Sequence, residues 1–178
     1  KMYSRMLGGN LVRIDVENAR GENLTNGDLV GTKDGSAYGL VFGPQDENVF
    51  YFSNNDKHCI YKYDLRTKEC ACWAGQEGKS GYLDGPIGQA MFNKPGQMCV
   101  DSEGNIILTD TENHCIRKIT MSTGYVSTLA GKPQNSGYVN GSAEDAQFKK
   151  PLGICIDNDD VMYIGDSENR AIRRLAVE

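Results

Sequence analysis

The stretch Phe92–Ile119 reads FNKPGQMCVDSEGNIILTDTENHCIRKI, and the chain is built by repeating it. Shifted by 56 positions, Phe148–Leu175 reads FKKPLGICIDNDDVMYIGDSENRAIRRL and aligns with the first copy without a gap. A more diverged copy lies earlier and keeps the same shift, since His58 stands 56 positions before His114. A period near this length is typical of solenoids, arrays and propellers.

Each repeat contains the pattern of four short antiparallel strands. The apolar strands Gln97–Val100 and Ile106–Asp110 flank a hairpin turn with the residues Asp, Ser, Gly and Asn that such turns favour. Cys115–Ile119 and Tyr125–Ala130 follow as the third and fourth strands. Their runs are apolar rather than strictly alternating, which suits sheets covered on both faces by neighbouring sheets. The sequence therefore predicts an all-β protein, a β-propeller of four-stranded antiparallel blades.

The copies divide residues 1–178 into parts of one partial propeller. Residues 1–24 align with a stretch 49 positions later and predict strands of a preceding blade. Full blades are predicted at 38–75 and 95–131, and a last blade without its outer strand at 151–178. A closed ring needs about four to eight blades. We therefore expect the ring to be completed by the rest of a longer protein or by self-association with a second copy.

Composition and charge narrow the class of partner. The chain has 39% hydrophobic and 24% charged residues, as globular proteins have. Its net charge of -5 argues against nucleic-acid binding, which needs a basic surface. No apolar run is long enough to span a bilayer, so we expect no membrane insertion, and the first ten residues lack the order of a signal peptide.

Six cysteines invite a disulfide or zinc interpretation. Four of them occupy two repeated positions, Cys59 with Cys115 and Cys99 with Cys155. A repeated position favours a small buried side chain, so we expect free, buried thiols, with one or more disulfides as the alternative. Cys70 and Cys72 share one face of a predicted strand and cannot readily bridge to each other. The paired CxxC arrangement of zinc sites is absent from the sequence.

The signature F-N-x-P-x-x-x-x-V-D-x-x-G-N-I-x-x-x-D-x-x-N-H-x-I-R-K-I resembles the NHL repeat, and the resemblance covers nearly the whole chain. The last copy has Arg170 in place of the name-giving histidine, and the earliest full copy has Asn54 in place of Asp110. The resemblance implies a ring of six blades, of which this chain holds about half.

The links between the repeats carry L-A-G and D-G-x-x-x-x-A-x-F, at Leu129–Gly131 and Asp84–Phe92. They are similar to those of bacterial envelope or secreted NHL proteins, some of which carry an IPT/TIG immunoglobulin-like domain ahead of the propeller. This similarity implies an extracytoplasmic location, in the periplasm or at the cell surface.

One face of the predicted array collects two sets of loops. Because the strands alternate in direction, the link from each fourth strand opens on the same face as the connection between the second and third strands. We call this the loop face. Its polar and aromatic side chains suit recognition of a protein or a glycan better than phosphate binding. The candidate binding residues are Tyr82, Asp84, His58, Glu112, Asn113, His114, Tyr138, Asn140, Glu168 and Arg170.

The repeated histidines favour a structural role. His58 and His114 recur once per blade, so we expect them to cap loop backbone, with a ligand role as the alternative. Our leading hypothesis is a non-catalytic binding or scaffold propeller, with no catalytic residue, metal site or cofactor. Similar six-bladed folds host an amidating lyase and lactonases, which makes a metal-dependent lyase or lactonase-like hydrolase, with its site in the central channel, the alternative.

Overall fold

The computed structural model describes the backbone of residues 2–6, 10–15 and 20–23, and the backbone and side chains of residues 37–176. Strands dominate these residues, with two single 3-10 turns at Thr111–Asn113 and Ser167–Asn169. The strands are β1 (Met2–Met6), β2 (Asn10–Asp15), β3 (Arg20–Asn23), β4 (Ala37–Gly43), β5 (Asp46–Asn54), β6 (Cys59–Asp64), β7 (Cys70–Ala74), β8 (Gly85–Pro86), β9 (Pro95–Val100), β10 (Ile106–Asp110), β11 (Cys115–Thr120), β12 (Tyr125–Ala130), β13 (Pro151–Ile156), β14 (Met162–Asp166) and β15 (Ala171–Leu175).

These strands form four antiparallel sheets in chain order. The first sheet is β1-β2-β3, the second β4-β5-β6-β7, the third β8-β12-β11-β10-β9 and the fourth β13-β14-β15. The inner strands β4, β9 and β13 contact one another in turn, so successive sheets meet at a common centre. The all-β β-propeller architecture is confirmed. Residues 1, 7–9, 16–19 and 24 of the predicted preceding blade, and residues 177–178 of the predicted last blade, lie outside the described residues.

Tight turns set the register of the paired strands. Between β9 and β10, the carboxylate of Asp101 accepts the backbone N–H of Asn105 at 2.7 Å, and Gly104 adopts a positive φ of 81°. This is an Asx-type turn, in which an aspartate side chain takes the place of backbone hydrogen bonds. Lys118 Nζ on the neighbouring strand β11 lies 3.0 Å from the same carboxyl group. Asp101 therefore has the turn role that the sequence predicts.

Two apolar layers fill the spaces on either side of the third sheet. Ile106 and Leu108 of β10 point toward the second sheet and join Ile60 and Phe92 there. Ile107 points the other way and packs in a separate cluster with residues of the fourth sheet. Successive side chains of a strand face opposite sides, so a strand buried on both faces must be apolar throughout. This explains the unbroken apolar run in the sequence.

The long link after β7 adds a strand that the sequence did not predict. Gly85 and Pro86 form β8, which pairs with Val126 and Tyr125 on the outer edge of β12. The third sheet therefore has five strands rather than four. An exposed edge strand offers unpaired backbone groups to other chains, and a covering segment removes them. Trp73, in β7, packs against Tyr51 in a tilted arrangement with 4.4 Å between the ring centroids, so it packs within the fold.

The cysteines are free thiols. Cys59 and Cys115 are buried, and Cys70, Cys72 and Cys99 are half-buried. The expectation that the sixth cysteine, Cys155, is also buried is wrong, because this residue is exposed. It occupies the same repeat position as Cys99, but no described sheet follows its strand β13 to cover it. Within the described part of the chain, helices of the length and apolarity needed to cross a bilayer are absent.

We predict that Gly75→Ala destabilises the fold strongly. Gly75 has a φ of 95°, and an added Cβ would lie 2.9 Å from the ring of buried Phe92 and 3.2 Å from Cys59 Cα. Left-handed backbone costs about 1–2 kcal/mol for a residue with a side chain, and overpacking adds about 1–3 kcal/mol. The loss is expected to be about 3 kcal/mol in the free energy of unfolding, measured by urea denaturation.

Gly78→Ala is the matched control, because Gly78 also has a positive φ, 76°, but open space around its Cβ position. It is expected to cost about 1–2 kcal/mol, the backbone contribution alone. Equal losses for the two variants would contradict the packing of Gly75 against Phe92.

Candidate functional site

A buried ion pair joins β10 and β11 in the third sheet. Asp110 ends β10, Arg117 lies on the adjacent strand β11, and both side chains are completely buried. Arg117 Nη1 lies 2.7 Å from Asp110 Oδ2, and Asn113 Nδ2 donates to the same oxygen at 2.8 Å. The second oxygen, Asp110 Oδ1, accepts the backbone N–H of Asn93 at 2.8 Å. The carboxylate is thus surrounded by donors.

Arg117 also holds the long link against the blade. Its Nη1 donates to the carbonyl of Met91 at 3.1 Å, and its Nη2 donates to the carbonyl of Leu83 at 2.9 Å and to Asp84 Oδ1 at 2.6 Å. The guanidinium lies between the rings of Tyr82 and Phe92, with its central carbon 4.9 and 5.1 Å from their centroids. Stacking of this kind is typical of arginine. We call this arrangement the arginine clamp.

The fourth sheet repeats the arginine clamp 56 residues later. Arg173 pairs with Asp166 at 2.9 Å, and its Nη2 donates to the carbonyl of Val139 and to Asn140 Oδ1, both at 2.7 Å. The rings of Tyr138 and Phe148 enclose the guanidinium at 4.9 and 5.1 Å. Tyr82, Asp84 and Asn113 therefore belong to one clamp, and Tyr138 and Asn140 to the next.

The clamp arginines were missed as site residues in the sequence analysis. The signal that could have identified them is the repeated spacing of seven residues, from Asp110 to Arg117 and from Asp166 to Arg173. A charge on a strand that is otherwise apolar needs a partner in the interior. Burial raises the pKa of Asp110 to about 6, against the opposing effects of Arg117, Asn113 and the Asn93 N–H.

The repeated histidines join one sheet to the next. His58 adopts a left-handed φ of 55°, and its Nδ1 accepts the backbone N–H of Lys94 at 3.1 Å. His114 has a φ of 59° and accepts the N–H of Lys150 at the same distance. Each lies after the second strand of one sheet and binds the segment that leads into the first strand of the next. Arg170 takes the same left-handed position, with a φ of 54°.

Acidic side chains of the loop face are bridged by lysine. Lys150 Nζ lies 3.4 Å from Glu112 and 3.0 Å from Glu168, which come from successive 3-10 turns. The structure therefore brings these two predicted residues together. The ten candidates as a whole do not converge on one point, because they come from successive copies of the same arrangement. Tyr138 is the most exposed aromatic side chain among them, at 61%.

The second sheet departs from the clamp pattern. At the positions of Asp110, Asn113 and Arg117 it has Asn54, Lys57 and Tyr61. Asn54 Oδ1 accepts the backbone N–H groups of Asp56 and Lys57 at 3.1 and 3.0 Å, so it caps the local turn. Tyr61 stacks on Phe52 with 5.3 Å between the ring centroids. A neutral aromatic pair here replaces the buried ion pair.

A groove lies between the two long links, beside the outer strand β12. Its volume is about 450 Å³. Tyr82 and Leu129 supply apolar surface, and Lys132, Asn135 and Glu144 supply polar groups. The sequence did not reveal these three polar residues as a set, because they come from a link that differs between copies. Among the described residues, groups of three or more side chains suited to holding a metal ion are absent.

We predict that Arg117→Met costs about 3–5 kcal/mol in the free energy of unfolding. The change leaves the carboxylate of Asp110 buried without its cation, and breaking a buried pair on one side has a cost of this size. Adding Asp110→Asn should recover part of the loss, since the charge is removed. Urea denaturation of the single and double variants measures both effects.

Arg174→Met is the control for the loss of one arginine, because Arg174 is exposed on the same strand as Arg173. We expect a change within about 0.5 kcal/mol, as for other surface substitutions. A similarly small effect of Arg117→Met would show that the clamp contributes little to stability.

We predict that His58 makes stability depend on pH. Burial lowers the pKa of His58, with Lys94 adding to the effect and Asp56 opposing it. As the pH falls, His58 is therefore protonated at a higher pH in the unfolded chain than in the folded protein. Stability from the neutral imidazole is complete above about pH 6.5 and is lost as the pH falls through the lower pKa of the folded state. Protonation of Nδ1 would also remove the acceptor for Lys94 N–H.

His58→Asn tests this dependence, because asparagine tolerates left-handed backbone and offers a carbonyl acceptor without titrating. Unfolding free energies are measured between pH 5 and 7.5. We expect the wild type to lose more stability toward pH 5 than the variant does. If the unfolding free energies of the wild type and the variant change in parallel with pH, His58 is not the source of the pH dependence.

Residues 92–119 match the family model of the NHL repeat. The Arabidopsis thaliana protein named Protein SUPPRESSOR OF QUENCHING 1, chloroplastic, is 30% identical over 145 residues, which are 77% of this chain and 14% of that protein. NHL repeat-containing protein 2 of Gallus gallus is 36% identical over 85 residues, which are 47% of this chain and 11% of that protein.

Solved structures resemble the chain over nearly its full length. A structural genomics protein of unknown function from Bacteroides thetaiotaomicron is 30% identical with a TM-score of 0.87, covering 99% of this chain and 44% of that one. An auxiliary nutrient binding protein from the same organism is 29% identical with a TM-score of 0.75, covering 95% and 43%. The chain spans less than half the length of each of these proteins and relatives.

More distant structures share the fold alone. Virginiamycin B lyase from Staphylococcus aureus is 15% identical with a TM-score of 0.54. The central unit, residues 92–119, is an NHL repeat, and it stands within an all-β fold of the β-propeller type.

Proposed function

We propose that this chain is part of a non-catalytic binding propeller that recognises a glycan on its loop face. The observation that carries the proposal is the groove of about 450 Å³ between the two long links. Sites for small ligands are concave, mostly apolar and supplied with a few placed polar groups. The groove combines a tyrosine and a leucine with an amide, a carboxylate and an ammonium group.

The walls of the groove are held by hydrogen bonds and a cation–π contact, which lowers the ordering cost of binding. Tyr82 is held from one side by the guanidinium of Arg117 and through its hydroxyl group by Thr128 Oγ1 at 2.7 Å. On the other side, Asp145 accepts from Ser142 Oγ at 2.9 Å, and the Ala146 N–H donates to the Ser142 carbonyl at 2.9 Å. Glu144 is thereby presented on a capped turn, and Lys132 Nζ lies 3.4 Å from Asp145 of the same turn.

Adjacent loop-face residues extend the proposed surface. Tyr138 of the second long link, Glu112 and Glu168 of the short turns, and Arg170 offer aromatic and charged groups to a larger ligand, and Asn140 would support them through its hydrogen bond from Arg173. His58, His114 and Asn113 have structural partners and would act by holding these loops in place. Asp84 binds Arg117 and the N–H of Thr128 and would act in the same way.

Similarity to the auxiliary nutrient binding protein supports a binding function and, by extension, an extracytoplasmic bacterial setting. The net charge of -5 supports an uncharged or basic ligand over a polyanion. The lyase and lactonase alternative has support from the fold alone, since those structures are at most 16% identical.

The test is an array of neutral oligosaccharides probed with the purified chain, followed by calorimetry on the retained glycan. Asn135→Ala and Glu144→Ala remove polar groups of the groove that have no role in the arginine clamp. We expect each to weaken binding by about tenfold, which corresponds to one hydrogen bond of about 1.4 kcal/mol.

Asp159→Asn is the matched control, because Asp159 is exposed in the hairpin between β13 and β14, on the opposite face. It should leave binding unchanged. The proposal is overturned if the array retains no glycan, or if the groove variants bind as the wild type does. Capture of a protein partner that Glu144→Ala does not weaken would also overturn it.

A further inference from the structure

The second sheet carries two thiols at positions that hold one thiol and one hydroxyl in the third sheet. Cys59 corresponds to Cys115, and Cys72 corresponds to Thr128. Thr128 Oγ1 lies 3.3 Å from Asp84 and 2.7 Å from the hydroxyl group of Tyr82. The second sheet lacks the clamp arginine as well. The second sheet therefore has two thiol groups at the place where the third sheet has its arginine clamp.

Strand geometry places Cys59 and Cys72 on one face of the sheet. Cys59 and Tyr61 are two residues apart on β6, so their side chains point the same way. Cys72 on β7 lies directly opposite Tyr61 in the strand pairing. All three side chains belong to one apolar cluster, in which Cys59 is completely buried and Cys72 packs at its edge.

A bulge and a glycine bring the two thiols together. The register shifts between Ile60 and Tyr61, which inserts Trp73 as an extra residue in β7. Gly75 then abuts Cys59, because a Cβ on Gly75 would lie 3.2 Å from the Cβ of Cys59. Cys72 Sγ lies 3.7 Å from the carbonyl oxygen of the same glycine. Both thiols thus converge on Gly75, which has no side chain to separate them.

The environment distinguishes the two thiols. A hydrogen bond from Cys59 and a second one from the Glu77 backbone lower the pKa of Cys72, with burial and the charge of Glu77 opposing. The bond between the two thiols raises the pKa of Cys59, together with burial. Cys72 is half-buried and reachable from solvent, whereas Cys59 is completely buried. An accessible thiol of lowered pKa beside a buried resolving thiol is the arrangement of redox-active pairs.

We propose that Cys59 and Cys72 form a dithiol–disulfide redox pair that exchanges with low-molecular-weight disulfides. The Cys72 thiolate attacks one sulfur of the disulfide RSSR, forming a mixed disulfide and releasing RS⁻. Cys59 then loses its proton to solvent or RS⁻, and its sulfur attacks Sγ of Cys72 and releases the second RS⁻. The balance is two protein thiols and RSSR giving one intramolecular disulfide and two RSH.

The disulfide would fasten the outer strand at the point where the long link begins. Cys72 lies on the outer strand β7 of the second sheet, and Gly75 after it donates its N–H to the carbonyl of Ile87 in the link at 2.8 Å. Cys59 follows His58, which binds the backbone of Lys94 at the end of that link. Oxidation therefore cross-links the two strands whose ends hydrogen-bond to the link, and this cross-link stabilises the second sheet.

The test is equilibration of the chain in buffers of reduced and oxidised glutathione, followed by alkylation and mass spectrometry. Cys99→Ser and Cys155→Ser are included in all variants, because Cys155 is exposed and would join chains to each other. We expect loss of two thiols, a linked peptide pair containing Cys59 and Cys72, and a melting temperature about 5 °C higher than in the reduced protein.

Cys70→Ser is the matched control, since Cys70 lies on the same strand and packs against the same cluster. It should leave the disulfide intact. Cys59→Ala should stop the reaction at one glutathione adduct on Cys72, a result that does not depend on the disulfide's effect on folding. A disulfide that contains Cys70, or four thiols that stay reduced while glutathione is oxidised, would overturn the proposal.

Discussion

The buried pair between Arg117 and Asp110 is the constraint on which the third sheet and its link depend. An arginine without solvent needs a counterion and acceptors for its N–H groups, or the fold loses several kcal/mol. Asp110 supplies the charge, and the carbonyl groups of Met91 and Leu83 supply acceptors. Because those carbonyls belong to the link, satisfying the arginine requires the link to lie in one position. The pair thus turns a long glycine-rich segment into ordered structure.

The same constraint explains why the copies share most of their conspicuous residues. Each clamp needs an aspartate at the end of the second strand, an arginine seven residues later, and two rings to enclose the guanidinium. The histidine position needs a left-handed backbone, which His114 and Arg170 both adopt. Residues that recur once per sheet therefore serve the fold. Functions specific to this chain are expected at positions where the copies differ, such as the polar residues of the groove and Cys72.

The long links contain two kinds of residue, those engaged by the arginine clamp and those that line the groove, and the two kinds have different roles. Tyr82 and Asp84 are half-buried and are engaged by Arg117 and Thr128. Glu144 lines the groove from a turn that Ser142 caps, and Lys132 lines it beside the end of β12 and pairs with Asp145 of that turn. Binding surfaces gain from a rigid support beneath exposed groups, since less conformational freedom is lost when a ligand arrives. The arginine clamp supplies that support, and the exposed turn carries the residues that differ between copies of the repeat.

The sequence by itself determined the repeat, the strand order within a blade and the turn role of Asp101, because these depend on local pattern and turn chemistry. The apolar run at Ile106–Leu108 was enough to predict burial on both faces. Contacts between distant residues were decided by the tertiary structure. The link residues that bind Arg117 lie 26 to 34 positions away along the chain, the groove joins two separate links, and Cys59 meets Cys72 through a bulge. Such contacts arise from packing in three dimensions, which no local sequence pattern encodes.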